Sequence, residues 1–283
     1  MGSGSVVAAL GRGQGRGGGG RRGDAERYSN AGKPKVKNED PGVPPAPARV
    51  VVGEETFEVV EEALVDLWAV VNDLARIRPP KPKYYRVTVF GSSRMRRGDQ
   101  LFDDVRTLAR QLSSMGCDVV TGGGPGLMEA ANEGARLGDP ENVTRSFGLP
   151  IELATDEEPN PFVEKIYRHR TFFSRLHHFV RLSSAFIVVP GGLGTLLETA
   201  MIWQLCQVKH VSGIPLIFLG RVWEDLVAWA REHMLGGERN LASPADLAIP
   251  LCVPGVDEAV EIIRKDLALF NAEKETAEQV AGT

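Results

Sequence analysis

Cysteine is scarce: Cys117, Cys206 and Cys252 are the only three, with no CxxC pair and no repeated spacing. That excludes a disulfide framework and a zinc knuckle, and it fits a reducing compartment, so a cytoplasmic location is expected. No run of about 18 apolar residues exists to cross a membrane. Val6 to Leu10 is too short for the apolar core of a secretory leader, and Gly/Arg repeats follow it. Neither HExxH nor an acidic calcium loop occurs, so no metal is expected. The formal charge is -4 over 283 residues, so nucleic acid is not the default partner.

The averages conceal a break near Val50. The first 49 residues hold 12 of the 32 glycines, together with Pro34, Pro41, Pro44, Pro45 and Pro47. Up to Asn38, eight Arg or Lys face only Asp24 and Glu26, a formal +6 that leaves the rest of the chain near -10. Residues 1–49 are expected to be a disordered tail. Arginine-rich segments can pair with phosphate, but no aromatic precedes Tyr28 to stack on bases, so at most weak contacts with polyanions are expected. Over 50–80, Phe57, Val60, Leu64, Leu67, Trp68, Val71 and Leu74 recur at helical steps. Glu54, Glu55 and Glu58 stand at the start, and Pro79-Pro80 closes the stretch. An accessory amphipathic helix is expected there.

Beyond Tyr85, short β-branched runs alternate with amphipathic stretches. Strands are expected at 87–90, 117–121, 147–151, 185–189, 215–219 and 248–253. The helix after the first carries Leu101, Phe102, Val105, Leu108, Leu112 and Met115. This alternation predicts an α/β fold over 81–270: a Rossmann-like, doubly wound parallel sheet with helices on both faces and ligands beyond the carboxyl ends of its strands. Residues 271–283 are expected to form a flexible tail.

Three of those strand ends are unusual. Gly91-Ser92-Ser93 follows the first strand and offers hydroxyl donors to a phosphate or ribose. The second has Gly122-Gly123-Gly124-Pro125-Gly126, opening a helix through Met128, Glu129 and Asn132; four glycines in five positions exceed what a turn needs. The third is Pro190-Gly191-Gly192-Leu193-Gly194-Thr195, where helix-start amides and the Thr195 hydroxyl suit a monophosphate. No P-loop lysine is present. Thr195-x-x-Glu198 also fits a capping box, in which both side chains would merely satisfy helix amides.

Gly122 to Asn132, taken together with Pro190-Gly191-Gly192-x-Gly194-Thr195-x-x-Glu198, resembles the LOG family of cytokinin riboside 5'-monophosphate phosphoribohydrolases, long labelled lysine decarboxylases. The likeness runs from about Tyr85 to Leu269. It implies a homodimer or larger oligomer that hydrolyses the N-glycosidic bond of a purine nucleoside 5'-monophosphate, with N6-substituted adenine among the candidate bases. Base and ribose 5-phosphate are released, and no cofactor takes part. It assigns Arg175 and Glu198 as catalytic, and the three glycine loops, with Met128, Glu129 and Asn132, to substrate. Two positions depart from the family pattern: Leu176 replaces the lysine of an Arg-Lys pair, and Leu197 replaces one of two glutamates.

The chemistry of those residue types agrees. Breaking a ribose C1'–N bond places positive charge on the sugar, which a fixed carboxylate such as Glu198 stabilises. Arginine rarely gives up a proton, so Arg175 is expected to orient and to supply charge. His177 and His178 are adjacent, point about 100° apart on a helix and cannot share a metal; both are expected to be structural. Met201, Ile202, Trp203, Leu205, Cys206 and Val208 put apolar groups around most of a helix expected to be buried, against the sheet or a second subunit. Two other readings compete with the hydrolase. A carrier or sensor would hold the nucleotide without cleaving it. A pyridoxal phosphate decarboxylase would need a lysine near a phosphate loop, and Lys165 and Lys209 lie elsewhere.

Overall fold

The computed structural model describes Glu62, Leu64 and residues 83–152, 158–235 and 239–281, the side chains of 278, 280 and 281 excepted. The expected tail 1–49 lies outside these residues, and of the expected helix 50–80 only Glu62 and Leu64 are described, both helical.

Seven parallel strands form one sheet: β1 Arg86–Phe90, β2 Asp118–Thr121, β3 Ser146–Gly148, β4 Lys165–Ile166, β5 Ala185–Val188, β6 Leu216–Leu219 and β7 Pro250–Val253. Their order is β4-β3-β2-β1-β5-β6-β7, so the winding reverses between β1 and β5. Val87 is in register with Val119 on one side and Ala185 on the other. The fold is thus the α/β doubly wound sheet expected from the alternation. Among the described residues after 83, the six helices are α1 Gln100–Ser114, α2 Leu127–Gly138, α3 Phe172–Leu182, α4 Leu193–Gln207, α5 Arg221–Leu235 and α6 Val256–Ala281.

Strand alternation sorts the core into two layers. Val87, Val89, Val119, Ile187 and Ile217 pack with Phe102, Val105, Leu108 and Leu112 of α1, Ala130 and Ala135 of α2 and Ile263 of α6. Phe90, Val120, Phe186, Val188 and Phe218 turn the other way, onto Phe179 of α3, Ile202 of α4 and Trp223 of α5. Both faces are covered, which is why the strands read as continuous apolar runs.

Several boundaries move. The strand expected over 147–151 is β3, which ends at Gly148 because Pro150 has no amide for the ladder; Ile151 makes only an isolated bridge to His169. The strand expected from Ala248 starts at Pro250, after a 3-10 turn at Asp246–Ala248. β4 was not anticipated, since two residues carry no periodicity. The ordered chain does not stop at 270. α6 continues to Ala281 because Ala272, Glu273, Lys274, Glu275, Ala277 and Glu278 are all good helix formers.

Of the α4 residues expected to be buried, Ile202 is buried, Met201, Trp203, Leu205 and Cys206 are partly buried and Val208, just past the helix end, is exposed. Ile202 and Thr199 are fully buried, but Leu193 is 85% exposed and Leu196, Leu197 and Val208 are also open to solvent. The sheet covers one side of a helix, and α4 is apolar on the other as well.

Candidate active site

The three glycine loops leave the carboxyl ends of β1, β2 and β5, flanking the point where the winding reverses. They meet directly. Ser92 N donates to Pro190 O (3.1 Å), and Leu127 N donates to Ser92 O (2.8 Å). A Cβ on Gly126 would stand 2.5 Å from Ser92 O, and φ is +71° there, so close approach and backbone hand both require glycine. The Ser92 hydroxyl accepts from Arg94 N (3.1 Å), a local turn, while Ser93 is exposed.

Arg175 and Glu198 are 23 residues apart in sequence and come together beneath these loops. α3 begins at its Thr171 cap and brings Arg175, one turn in, against the end of β3. There Nε donates to Leu149 O at 2.7 Å, and the guanidinium lies over the Phe179 ring at 5.3 Å. Nη1 stands 3.1 Å from Glu198 Oε1 on α4. A Cβ on Gly122 would overlap Arg175 Nη2, so the second loop is open at the place where the guanidinium lies.

The pair is buried, with the two side chains 13% and 11% exposed. Burial pushes the Glu198 carboxyl up to about 7, against the opposing pull of Arg175. Burial likewise lowers the guanidinium, with Glu198 opposing. No hydroxyl or amide of the described residues hydrogen-bonds the carboxylate, whose charged partner is Arg175.

Gly192 is the N-cap of α4, and no side chain caps the helix. Thr195 is therefore the third residue of the helix and Glu198 the sixth, too far in to reach the cap amide. The capping-box reading of Thr195 and Glu198 falls for that reason. The Thr195 hydroxyl instead lies at Gly191, where a Cβ would overlap it. Gly192 and Gly194 have open space where a Cβ would sit, and neither has a positive φ. Packing and strain require neither glycine; what their lack of side chains leaves clear is the row of amides at the start of α4.

Other expected substrate contacts are placed differently. Met128 lies over Gly122 and Gly124, where Cβ atoms would meet its sulfur and methyl. Glu129 is committed to an ion pair with Arg97 at 2.7 Å. Asn132 is fully buried: Oδ1 accepts from Thr121 Oγ1 (2.7 Å) and Asn160 Nδ2 (2.9 Å), and Nδ2 donates to Ser146 Oγ (2.8 Å). The amide of Asn132, a residue expected at the substrate, is taken up by these contacts, which support the second loop. Asn160 was missed in the sequence. Its signal was an asparagine between Pro159 and Pro161, a backbone restricted on both sides. Leu176 is 8% exposed, so the position that carries lysine in the family pattern points apolar carbon into the protein.

The adjacent histidines diverge. His177 stacks with Phe173, whereas His178 Nδ1 lies 3.0 Å from His169 Nε2. Burial, with His169 and Arg181 adding to it, pushes His178 down to about 4, so that imidazole is neutral at pH 7. Among the described residues no group of three or more His, Cys, Asp or Glu could hold a metal ion.

Residues 128–263 match a family model described as "possible lysine decarboxylase". Over these residues, just under half of the chain, the sequence is similar to that family. The chain is 32% identical over 141 residues to a pyrimidine/purine nucleotide 5'-monophosphate nucleosidase of Escherichia coli strain K12, an alignment covering 47% of this chain and 30% of that protein. It is 25% identical over 183 residues to a cytokinin riboside 5'-monophosphate phosphoribohydrolase of Arabidopsis thaliana, covering 64% of this chain and 82% of the other. Among solved structures, the molybdenum cofactor binding protein of Rippkaea orientalis matches with a TM-score of 0.51 at 17% identity, covering 65% of this chain and 98% of that one. That likeness is one of fold. The curated relatives are named as a nucleosidase and a phosphoribohydrolase of nucleoside 5'-monophosphates. The decarboxylase description finds no lysine in the loops: the described lysines are Lys83, Lys165, Lys209, Lys265 and Lys274.

Proposed function

We propose that the protein hydrolyses the N-glycosidic bond of a nucleoside 5'-monophosphate, releasing the base and ribose 5-phosphate. The observation that carries this reading is the buried Arg175–Glu198 pair beside an unobstructed helix start at Gly192–Thr195. The 5'-phosphate binds the amides of that helix start and the Thr195 hydroxyl, where the helix dipole favours an anion. This anchors the ribose with C1' toward Glu198. As the C1'–N bond lengthens, the carboxylate stabilises the developing oxocarbenium charge and guides water to the anomeric carbon. Arg175 holds Glu198 in place through its ties to Leu149 O and Phe179, and it supplies positive charge beside the departing base. A purine is the expected base, with an N6-substituted adenine among the candidates.

The names of the relatives support the reaction class, and the buried Glu198 carboxylate supports the chemistry. The exposed apolar stripe Leu193, Leu196, Leu197 and Val208 on α4 supports a homodimer at least. A monomeric mass by light scattering at micromolar concentration would count against that assembly. The three cysteines are all unpaired, as a cytoplasmic protein would have them. The deciding assay incubates the protein with a panel of nucleoside monophosphates and follows the released base by chromatography. Adenine from AMP supports the hydrolase. Binding of AMP without release of any base would make the protein a carrier or sensor instead.

A further inference from the structure

No step of the proposed hydrolysis uses Asn160, yet the structure invests several buried polar groups in it. Asn160 is 7% exposed. Its backbone amide donates to Gly123 O at 2.8 Å. Its side-chain Nδ2 donates to Gly124 O and to Asn132 Oδ1, both at 2.9 Å, and more weakly to Gly123 O at 3.2 Å. Phe162 N donates to Asn160 Oδ1 at 3.2 Å, which fixes the end of the amide that carries the hydrogens. The Thr121 hydroxyl oxygen accepts from Gly123 N at 2.9 Å, and its hydrogen goes to Asn132. Both carbonyls of Gly123 and Gly124 and the Gly123 amide are therefore held from one side by Thr121 and Asn160, with Asn132 joining the two.

The guanidinium lies against the same turn, one residue earlier. Gly122 precedes the held residues, and Arg175 Nη2 occupies the space a Cβ there would fill. Nothing else among the described contacts fixes that edge of the guanidinium, since Nε is tied to Leu149 O and Nη1 faces Glu198. A rotation of the turn would press on Arg175 or release it.

We propose that Asn160 is a positioning residue: by holding the Gly123 and Gly124 carbonyls it sets the Gly122 surface against which Arg175 lies, and through it the Arg175–Glu198 geometry. The kinetic consequences rest on the hydrolase reading; the structural ones do not. Asn160→Ala keeps the backbone amide and removes the side-chain donors. For AMP, kcat should fall on the order of tenfold to a hundredfold, the usual cost of an ångström-scale misplacement. KM should stay within about twofold, because the helix start that takes the phosphate is untouched. The acidic limb of the kcat profile should move to higher pH as Glu198 loses its cation. A purely structural role would lower Tm and move none of these at temperatures well below it.

The decisive measurement is the double substitution. If Asn160 acts through Arg175, adding Asn160→Ala to Arg175→Ala should cause no further loss of kcat. Full additivity of the two losses, or wild-type kcat in the single variant, overturns the proposal. A second arm needs no turnover and covers the case in which Asn160→Ala folds poorly. In the nucleotide-free protein, the Arg175 Nε–H resonance, bonded to Leu149 O at 2.7 Å, should shift or broaden in the milder Asn160→Ser variant. An unmoved resonance overturns the proposal. A moved resonance in a protein that cleaves no nucleotide sinks the hydrolase reading and leaves the positioning role standing.

Discussion

The loops Gly122–Gly126 and Gly191–Gly194 look alike in sequence and do opposite things in the fold. In the first, a Cβ at Gly122 would overlap Arg175 and one at Gly126 would meet Ser92 O, so those glycines let other groups of the chain come close. In the second, Gly192 and Gly194 have nothing within 4 Å of a Cβ. The first loop is filled by the protein itself, whereas the second, past Gly191 and its contact with Thr195, is left open beside a helix N-terminus. Glycine richness alone therefore says little about ligand binding; what occupies the vacated space distinguishes an architectural glycine from one that admits a ligand.

The sharpest way to break this contrast is at the carboxylate the two loops flank. Glu198→Gln keeps the shape and removes the charge, and kcat for AMP should drop about 10²-fold or more. Turnover near the wild-type value would leave the pair a structural ion pair. The raised carboxyl adds a pH signature. Because its folded value is about 7 against a usual 4.5, wild-type kcat should fall as pH drops through about 7. Glu198's contribution to stability has the opposite sense. The folded state binds that proton more tightly than the unfolded chain, so the contribution is fullest below 4.5 and is lost as pH rises through about 7. The Tm of Glu198→Gln should accordingly gain on that of wild type between pH 5 and 8, and a gap that stays constant would contradict the raised carboxyl.

Next in size is the phosphate. Adenosine lacks the anion expected at the open loop and forgoes charge-assisted bonds worth about 1.5–3 kcal/mol each. It should be cleaved several powers of ten more slowly than AMP, with part of the loss in kcat. Equal cleavage would make the 191–194 segment a turn and the protein a nucleoside hydrolase.

The two loops then separate under the same small change. Gly122→Ala should displace Arg175 and cost activity on the order of tenfold or more, together with stability. Gly194→Ala adds a methyl to open space inside a helix and should raise stability by about 0.5–1 kcal/mol, read as a Tm increase of roughly 2 °C. It should also raise the KM for AMP. A Gly194→Ala protein with unchanged KM would show that no ligand comes near those amides. The smallest effect is expected from truncation: a chain starting at Val50 should keep the kcat and Tm of the full chain, and a marked loss of either would show that the basic segment is needed.

Much of this site was legible before the fold was known. Glycine loops mark strand ends because β-branched runs and amphipathic helices announce themselves over neighbouring residues, and Arg175 and Glu198 were picked out by a family pattern. Less legible was whatever depended on distant residues. The place of Asn132 in the motif says nothing of Thr121, Ser146 and Asn160 closing around it. The Thr195–Glu198 capping box failed because α4 starts at Leu193, two residues before Thr195, and takes Gly192 as its cap. Asn160 could have drawn notice only through the prolines on either side.

The chain's local pattern was enough to specify strand-helix alternation, a parallel sheet with both faces covered, and loops rich in glycine at three carboxyl ends. Those properties come from side-chain periodicity and backbone preference within a few residues. Sheet order set the rest. Placing β1 next to β5 joined loops about 100 residues apart, carried Arg175 to within 3.1 Å of Glu198, and left one glycine loop packed and the other clear. Such contacts depend on how elements are stacked across the sheet, and no periodicity along the chain encodes which of two similar loops another side chain will occupy.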